Sequence, residues 1–194
     1  DEEARRLALE RRAALRALDP DELDAALVRH FIGERELHAA QADALAHLAA
    51  GRSCLAVMAT GRGKSLIFHV HAAREAIRHS RASVFVYPLS ALVADQVFHL
   101  DESLAALGCS VATLTGESSP TARDAAFVAL AEGTLDVVLT TPEFLDHHAA
   151  RFAEAGRVGF VVVDEAHHIG LARAGHRPAY GRLDRALAVL GAPT

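Results

Sequence analysis

Short continuous apolar runs along this chain alternate with longer stretches whose apolar positions recur at helical spacing. The runs are Cys54–Met58, Val84–Tyr87, Val111–Leu114, Val137–Leu139 and Phe160–Val163. The helical stretches lie near 64–79, 90–107, 120–132, 142–153 and 178–190. Strands that are apolar throughout, rather than alternating, are buried on both faces. Separated by amphipathic helices, they predict a mostly parallel sheet with helices on both sides. Three more helices are expected upstream. Residues 2–18 are rich in Ala, Leu, Arg and Glu with no Gly or Pro, which predicts an exposed helix. Asp19-Pro20-Asp21-Glu22 supplies an N-cap, a proline at the first helical position and an acidic first turn, opening a helix through Val28. A third covers about Ala39–Ala49 and stops at Gly51.

Composition narrows the classes. The 194 residues fit one ordinary domain with a full core. No apolar run approaches the roughly 20 residues that span a bilayer, and Asp1-Glu2-Glu3-Ala4-Arg5-Arg6 does not have the form of a signal peptide, so a cytoplasmic protein without membrane contact is expected. Cys54 and Cys109 form no CxxC pair and are read as buried thiols. A net charge of −5 argues against wrapping nucleic acid by bulk electrostatics, but it leaves room for a local phosphate-binding face.

Among twenty basic residues only Lys64 is a lysine, and it stands in Thr60-Gly61-Arg62-Gly63-Lys64-Ser65. A slim ammonium enters between terminal phosphates as a point charge, where the planar guanidinium fork is too broad. The predicted strand Cys54–Met58, the small-residue turn Ala59–Gly63 and a helix from about Lys64 are the context of a phosphate-binding loop. Glycines let backbone N–H groups point at phosphate oxygens, and the helix N-terminus adds its dipole. On this reading Lys64 bridges the β- and γ-phosphates and the Ser65 hydroxyl ligates Mg²⁺. The strict G-x-x-x-x-G-K-[ST] pattern is broken at its first glycine, where Met58 stands. Downstream, Val161-Val162-Val163-Asp164-Glu165-Ala166-His167 delivers two carboxylates at a strand end. Asp164 is expected to hold the Mg²⁺ through its hydration shell, and Glu165 to polarise the attacking water. His167 and His168 are adjacent, share no helical face and lie in no H-E-x-x-H pattern, which disfavours zinc.

Ala59-Thr60-Gly61-Arg62-Gly63-Lys64-Ser65 together with Asp164-Glu165-Ala166-His167 resembles motifs I and II of superfamily 2 helicases, above all the RecQ-type DNA helicases. The resemblance covers roughly residues 31–194. Ile32-Gly33 and Leu37-His38-Ala39-Ala40-Gln41 look like the family's adenine-reading motif, which implies a base contact by Gln41, whose amide offers a donor and an acceptor at once, with His38 beside it. Phe85-Val86-Tyr87-Pro88-Leu89-Ser90-Ala91-Leu92 with Asp95-Gln96-Val97 is similar to motif Ia. Thr115-Gly116 and Thr140-Thr141-Pro142-Glu143-Phe144-Leu145 look like the next DNA-facing motifs, and Ile169 and Arg177-Pro178-Ala179-Tyr180 fall at the family's spacing. The resemblance implies a three-layer RecA-like P-loop NTPase fold that uses ATP and Mg²⁺. Pro88, Ser90, Gln96, Thr115, Gly116, Thr141, Pro142 and Glu143 are the implied nucleic-acid contacts. Hydroxyls and backbone N–H groups at strand ends suit the sugar–phosphate chain of single-stranded DNA or a single/double-strand junction. Ser90 reads equally as a helix N-cap.

The chain departs from the RecQ pattern in carrying His38 where those proteins have an arginine, and Ala172 and His176 where they have an aromatic-rich loop. Residues 1–30 are expected to be a helical lead-in or linker. Residues 31–194 are expected to be the first motor lobe, ending before motif III and completed in a longer protein by a second RecA-like lobe, with a fused nuclease or repair domain as a further partner. An arginine finger contributes about 10³–10⁵ in rate to phosphoryl transfer, so a fragment without the second lobe should bind ATP weakly and scarcely hydrolyse it. Two other readings stay open: an RNA helicase of the DEAH class, and a degenerate ATP- and DNA-binding module that positions DNA for a nuclease.

Overall fold

The computed structural model describes residues 2–58, 63–88, 94–167, 169 and 178–194. Three helices lead: α1 (Glu2–Arg16), α2 (Pro20–Ile32) and α3 (Ala39–Ala49). Then follow α4 (Lys64–Arg74), continued by a π-turn at Glu75–His79, β1 (Ala82–Val86), α5 (Ala94–Ala105) and β2 (Val111–Leu114). The chain goes on through α6 (Pro120–Glu132), β3 (Val137–Thr140), α7 (Pro142–Ala155), β4 (Val158–Val163), a 3₁₀ turn at Pro178–Arg182 and α8 (Leu183–Leu190).

The four strands form one sheet in the order β2-β3-β1-β4, every pair parallel. Strand residues alternate between two cores, as their period of two requires. Phe85, Val137, Leu139, Phe160 and Val162 meet α2, α3 and α4 on one face. Val84, Val86, Val138, Val161 and Leu114 meet α6, α7 and α8 on the other. The result is the α/β three-layer arrangement with helices on both faces.

The helix punctuation follows the sequence. Asp19 accepts from Glu22 N–H at 2.9 Å while Glu22 reaches back to Asp19 N–H at 3.3 Å, closing a capping box at the start of α2. Ser119 and Thr141 cap α6 and α7, each with proline at the first helical position.

Two expectations need correction. Cys54–Met58 has no regular secondary structure and, among the described residues, no neighbouring strand lies alongside to receive its ladder bonds. The helical pattern near 64–79 leads one to expect His69 and His71 on a helix surface, yet both face the interior. His69 packs against Phe31, Phe68 and Phe85, and His71 is 2 % exposed with its ring 4.6 Å from that of Phe160. Burial lowers both imidazole pKa values to about 4.

The N-terminal helices are fastened to this body. Arg12 on α1 donates to both Asp136 carboxylate oxygens at 2.7 and 2.8 Å, to Gly108 O at 2.8 Å and to Ala76 O at 3.0 Å. Asp136, just before β3, also accepts from Ser110 N–H at 2.9 Å. On α2, Leu23 and Leu27 are buried, and Asp24 pairs with Arg74 of α4.

Candidate functional site

In a parallel sheet every strand ends on the same edge, and loops at that edge are where such folds bind ligands. Along it lie Thr115 and Gly116 after β2, Thr141–Glu143 after β3, Pro88 after β1, and Asp164 and Glu165 after β4. Thr60, Gly61, Arg62 and Ser90 are outside the described residues, and only the backbone of Gln96 is described, within α5.

The phosphate-loop side is built around Gly63. Its φ of 72° is left-handed, and a Cβ there would stand 2.6 Å from Gln41 Nε2, so conformation and space both call for glycine. Among the described residues no side chain caps α4, which starts at Lys64. Its first-turn amides and dipole therefore make an anion-receptive end, with Lys64 and Ser65 exposed beside it.

Gln41 lies 4 % exposed beneath this loop. Its Nε2 donates to Gly63 O at 3.0 Å, and its Oε1 accepts from His38 N–H at 2.9 Å. The amide thus ties the start of α3 to the last residue of the loop. The expectation of a base contact gave no sign of this tie. His38 itself is exposed at the N-cap of α3.

On the facing side, Asp164 N–H donates to Val86 O at 2.9 Å, which fixes where β4 ends. Glu165 then takes φ 53°, unusual for a side-chain-bearing residue, and its carboxylate lies 3.1 Å from His167 Nδ1. A left-handed residue of this kind costs roughly 1–2 kcal/mol. It turns the chain sharply, so that Lys64, Asp164, Glu165 and His167 line one cleft. Tyr87, next to this edge, is half-buried, and its desolvation together with the Asp164 charge raises its phenol pKa.

Two contributions escaped the sequence reading. Tyr180 is 1 % exposed, and its hydroxyl donates to Asp164 O at a long 3.4 Å, bracing the acidic turn from α8's side. Its place at the family's spacing was visible in the sequence, though its function was not. His167 was read as the last residue of the acidic motif and as an improbable zinc ligand, yet it stands against the Glu165 carboxylate.

The DNA-facing candidates divide. Thr141 is 4 % exposed, and its hydroxyl caps α7 by accepting from Phe144 N–H at 3.3 Å. Pro142 is buried at the first position of that helix, while Glu143 is exposed. Thr115 closes a small turn, its N–H donating to Ser118 Oγ at 3.0 Å and its hydroxyl accepting from Glu117 N–H at 3.3 Å. Gly116 faces open space, and Pro88 is buried. Thr140 bonds Leu114 O at 2.7 Å and serves the sheet. Among the described residues no group of three or more His, Cys, Asp or Glu could hold a metal alone, and no helix is long and apolar enough to cross a membrane.

Comparison with known proteins places this edge in context. Residues 38–192 match the family model described as DEAD/DEAH box helicase. An ATP-dependent DNA helicase Q-like 2 from Arabidopsis thaliana is 31 % identical over 163 residues, which is 79 % of this chain and 22 % of that protein. The ATP-dependent DNA helicase RecQ of Pasteurella multocida is 30 % identical over 134 residues, or 69 % of this chain and 20 % of that protein. The chain therefore spans about a fifth of the length of these relatives. Among solved structures, Mycobacterium smegmatis helicase Lhr bound to ssDNA and AMP-PNP superimposes with a TM-score of 0.63 at 26 % identity, covering 87 % of this chain and 23 % of that one.

Proposed function

We propose that this chain, which belongs to the DEAD/DEAH box helicase family, is the ATP-binding motor lobe of a RecQ-like DNA helicase that moves on single-stranded DNA in recombination or repair. The observation that carries the reading is the convergence of Lys64, Asp164, Glu165 and an uncapped helix N-terminus on one edge of the sheet.

The residues fit an ATP·Mg²⁺ site. Thr60–Gly63 and the first-turn amides of α4 would hold the phosphates, Lys64 would bind the terminal ones, and Gln41 and His38 would serve the adenine. Ser65 and Asp164 would hold Mg²⁺, which when bound neutralises phosphate charge. Glu165 orients and deprotonates the attacking water, and His167, at 3.1 Å, fixes the direction of its carboxylate. Gln41 also links the loop to the start of α3, so adenine contact and loop geometry are joined through one side chain.

DNA runs across the same edge. Gly116, Glu143 and the backbone around Thr115, Thr141 and Pro88 face its sugar–phosphate chain, with Ser90 and Gln96 as further contacts. The Lhr structure holds ssDNA and a nucleotide analogue together, which supports this pairing of ligands. The lobe on its own binds nucleotide and hydrolyses it scarcely at all, because a second lobe supplies the remaining charge stabilisation.

The test uses the full-length protein. Its ATP hydrolysis should rise with single-stranded DNA and much less with RNA of the same length, and Glu165→Gln should lower the stimulated rate by about 10²–10⁴-fold. Stimulation by RNA alone, or a Glu165→Gln enzyme as fast as the parent, would overturn the assignment.

A further inference from the structure

The chain has two tyrosines, and they flank Asp164 from opposite faces of the sheet. Tyr180 belongs to the core under α6, α7 and α8, and its hydroxyl donates to the Asp164 backbone O at 3.4 Å. Tyr87 packs on the core under α4. Its place on the edge follows from register. Val86 of β1 lies opposite Val163 of β4, and Asp164 N–H donates to Val86 O at 2.9 Å, so the pairing carries on to Tyr87 and Asp164. On the other side Tyr87 N–H donates to Thr140 O at 2.9 Å. The Tyr87 backbone is thus held between two strands.

Paired residues of a parallel ladder send their side chains to the same face, and alternation along each strand says which. Phe85 and Val162 point to the α4 side while Val86 and Val163 point away, so Tyr87 and Asp164 both return to the α4 side. Aromatic rings mark the height. Phe68 of α4 lies 5.3 Å from Phe85, and Phe85 lies 6.4 Å from Tyr87. Two residues along β1 are a rise of about 6.6 Å, which matches roughly one turn of α4 back from Phe68. That turn holds Lys64 and Ser65. The phenol therefore rises beside Asp164 towards the phosphate-binding helix end, close enough that the Asp164 charge bears on it.

Chemistry separates Tyr87 from a plain core residue. A half-buried ring packs as well without a hydroxyl, and a tyrosine hydroxyl in such a place usually has a partner. Tyr180 has one. Among the described residues the Tyr87 hydroxyl has none, and neither has the Asp164 carboxylate. At neutral pH the phenol is a donor, and the carboxylate is an acceptor alone, with room for about four hydrogen bonds. Carboxylates that serve a metal are themselves held by hydrogen bonds, which fix their direction.

We propose that Tyr87 is a positioning residue of the nucleotide site: its phenol O–H donates to the Asp164 carboxylate and holds it turned towards Mg²⁺. Tyr180 steadies the Asp164 backbone from one face of the sheet, and Tyr87 steadies its side chain from the other. The inference rests on the ATP·Mg²⁺ reading of this edge and adds to it a residue of the β1 end.

The test compares the 194-residue chain with its Tyr87→Phe variant, which keeps the ring and removes the hydroxyl. AMP-PNP is titrated into each with Mg²⁺ present and with EDTA in its place. The variant should bind AMP-PNP with Mg²⁺ roughly tenfold more weakly, yet match the parent in EDTA and in its urea midpoint. In an Asp164→Ala background the same substitution should change nothing further. With tyrosines ¹³C-labelled at Cζ, the resonance that Tyr87→Phe deletes should shift when Mg²⁺ joins the nucleotide. A parent that binds AMP-PNP equally with and without Mg²⁺ would overturn the reading of the site, and this inference with it. A parent strengthened by Mg²⁺ beside a variant strengthened just as much, or a Tyr87 resonance indifferent to Mg²⁺, would overturn the inference alone.

Discussion

The two ends of one parallel sheet are built to opposite standards. At the base, where the strands begin, Arg12, Asp136 and Ser110 close a corner in which each charge is paired and each carboxylate oxygen bonded. At the carboxyl edge, Lys64 and Ser65 are exposed, α4 has no side-chain cap among the described residues, Glu165 holds a left-handed backbone and apolar wall residues face an open cleft. The base contributes stability and no chemistry. The edge carries polar groups aimed at something outside the chain, and strain that only a bound ligand or a neighbouring segment makes worth keeping.

Breaking the base should give the largest effect. Asp136→Ala leaves the Arg12 guanidinium 20 % exposed without its carboxylate and removes the acceptor of Ser110 N–H. The expected loss is about 3–5 kcal/mol in urea unfolding. Nucleotide affinity per folded molecule should stay unchanged, because the corner lies at the far end of the strands.

Acid comes next. Burial lowers the pKa values of His69 and His71 to about 4 from 6.5. Between those limits the unfolded chain takes up protons that the native chain refuses, so stability is whole above pH 6.5 and falls as pH drops towards 4. Glu75, whose carboxyl pKa burial raises, works in the opposite direction at the acid end. Each of the two histidines should cost on the order of 2–3 kcal/mol between pH 7 and 4.5, less what Glu75 returns. Unfolding midpoints across that range measure it, and His71→Phe should remove about half of the slope.

Two substitutions then sharpen the picture of the edge. Gly63→Ala meets both a φ of 72° and Gln41 Nε2 at 2.6 Å, whereas Gly51→Ala meets a φ of 71° with nothing within 4 Å. Each should cost about 1 kcal/mol from backbone strain, but only Gly63→Ala should also weaken nucleotide binding. Smallest is Glu165→Gly, which relieves the φ of 53°. It should stabilise the chain by up to ~1 kcal/mol while abolishing stimulated hydrolysis in the full-length protein.

The same contrast governs what the sequence makes legible. Strands β1 to β4 are readable because both of their faces are buried, so each appears as an uninterrupted apolar run. Cys54–Met58 carries the same pattern, and its apolar run predicts a strand; what it lacks among the described residues is a neighbouring strand, which no local pattern records. Lys64, Ser65, Asp164 and Glu165 could be picked out because few residue types serve their chemistry. Arg12 could not, being one arginine among many on a helix with no buried residue. His71 had a signal that went unused, since it falls four residues after the buried Ile67 on the inward stripe of α4. The Gln41–Gly63 tie joins residues far apart in the chain, and only the fold brings them together.

The central claim is that the carboxyl edge grips a nucleotide through Lys64 and Asp164. Equilibrium titration of the 194-residue chain with a fluorescent ATP analogue, with and without Mg²⁺, tests it directly. Binding should depend on Mg²⁺ and weaken at least ~tenfold in Lys64→Ala, while the urea midpoint of that variant stays that of the parent. Equal affinity for parent and Lys64→Ala, or binding indifferent to Mg²⁺, would contradict the account.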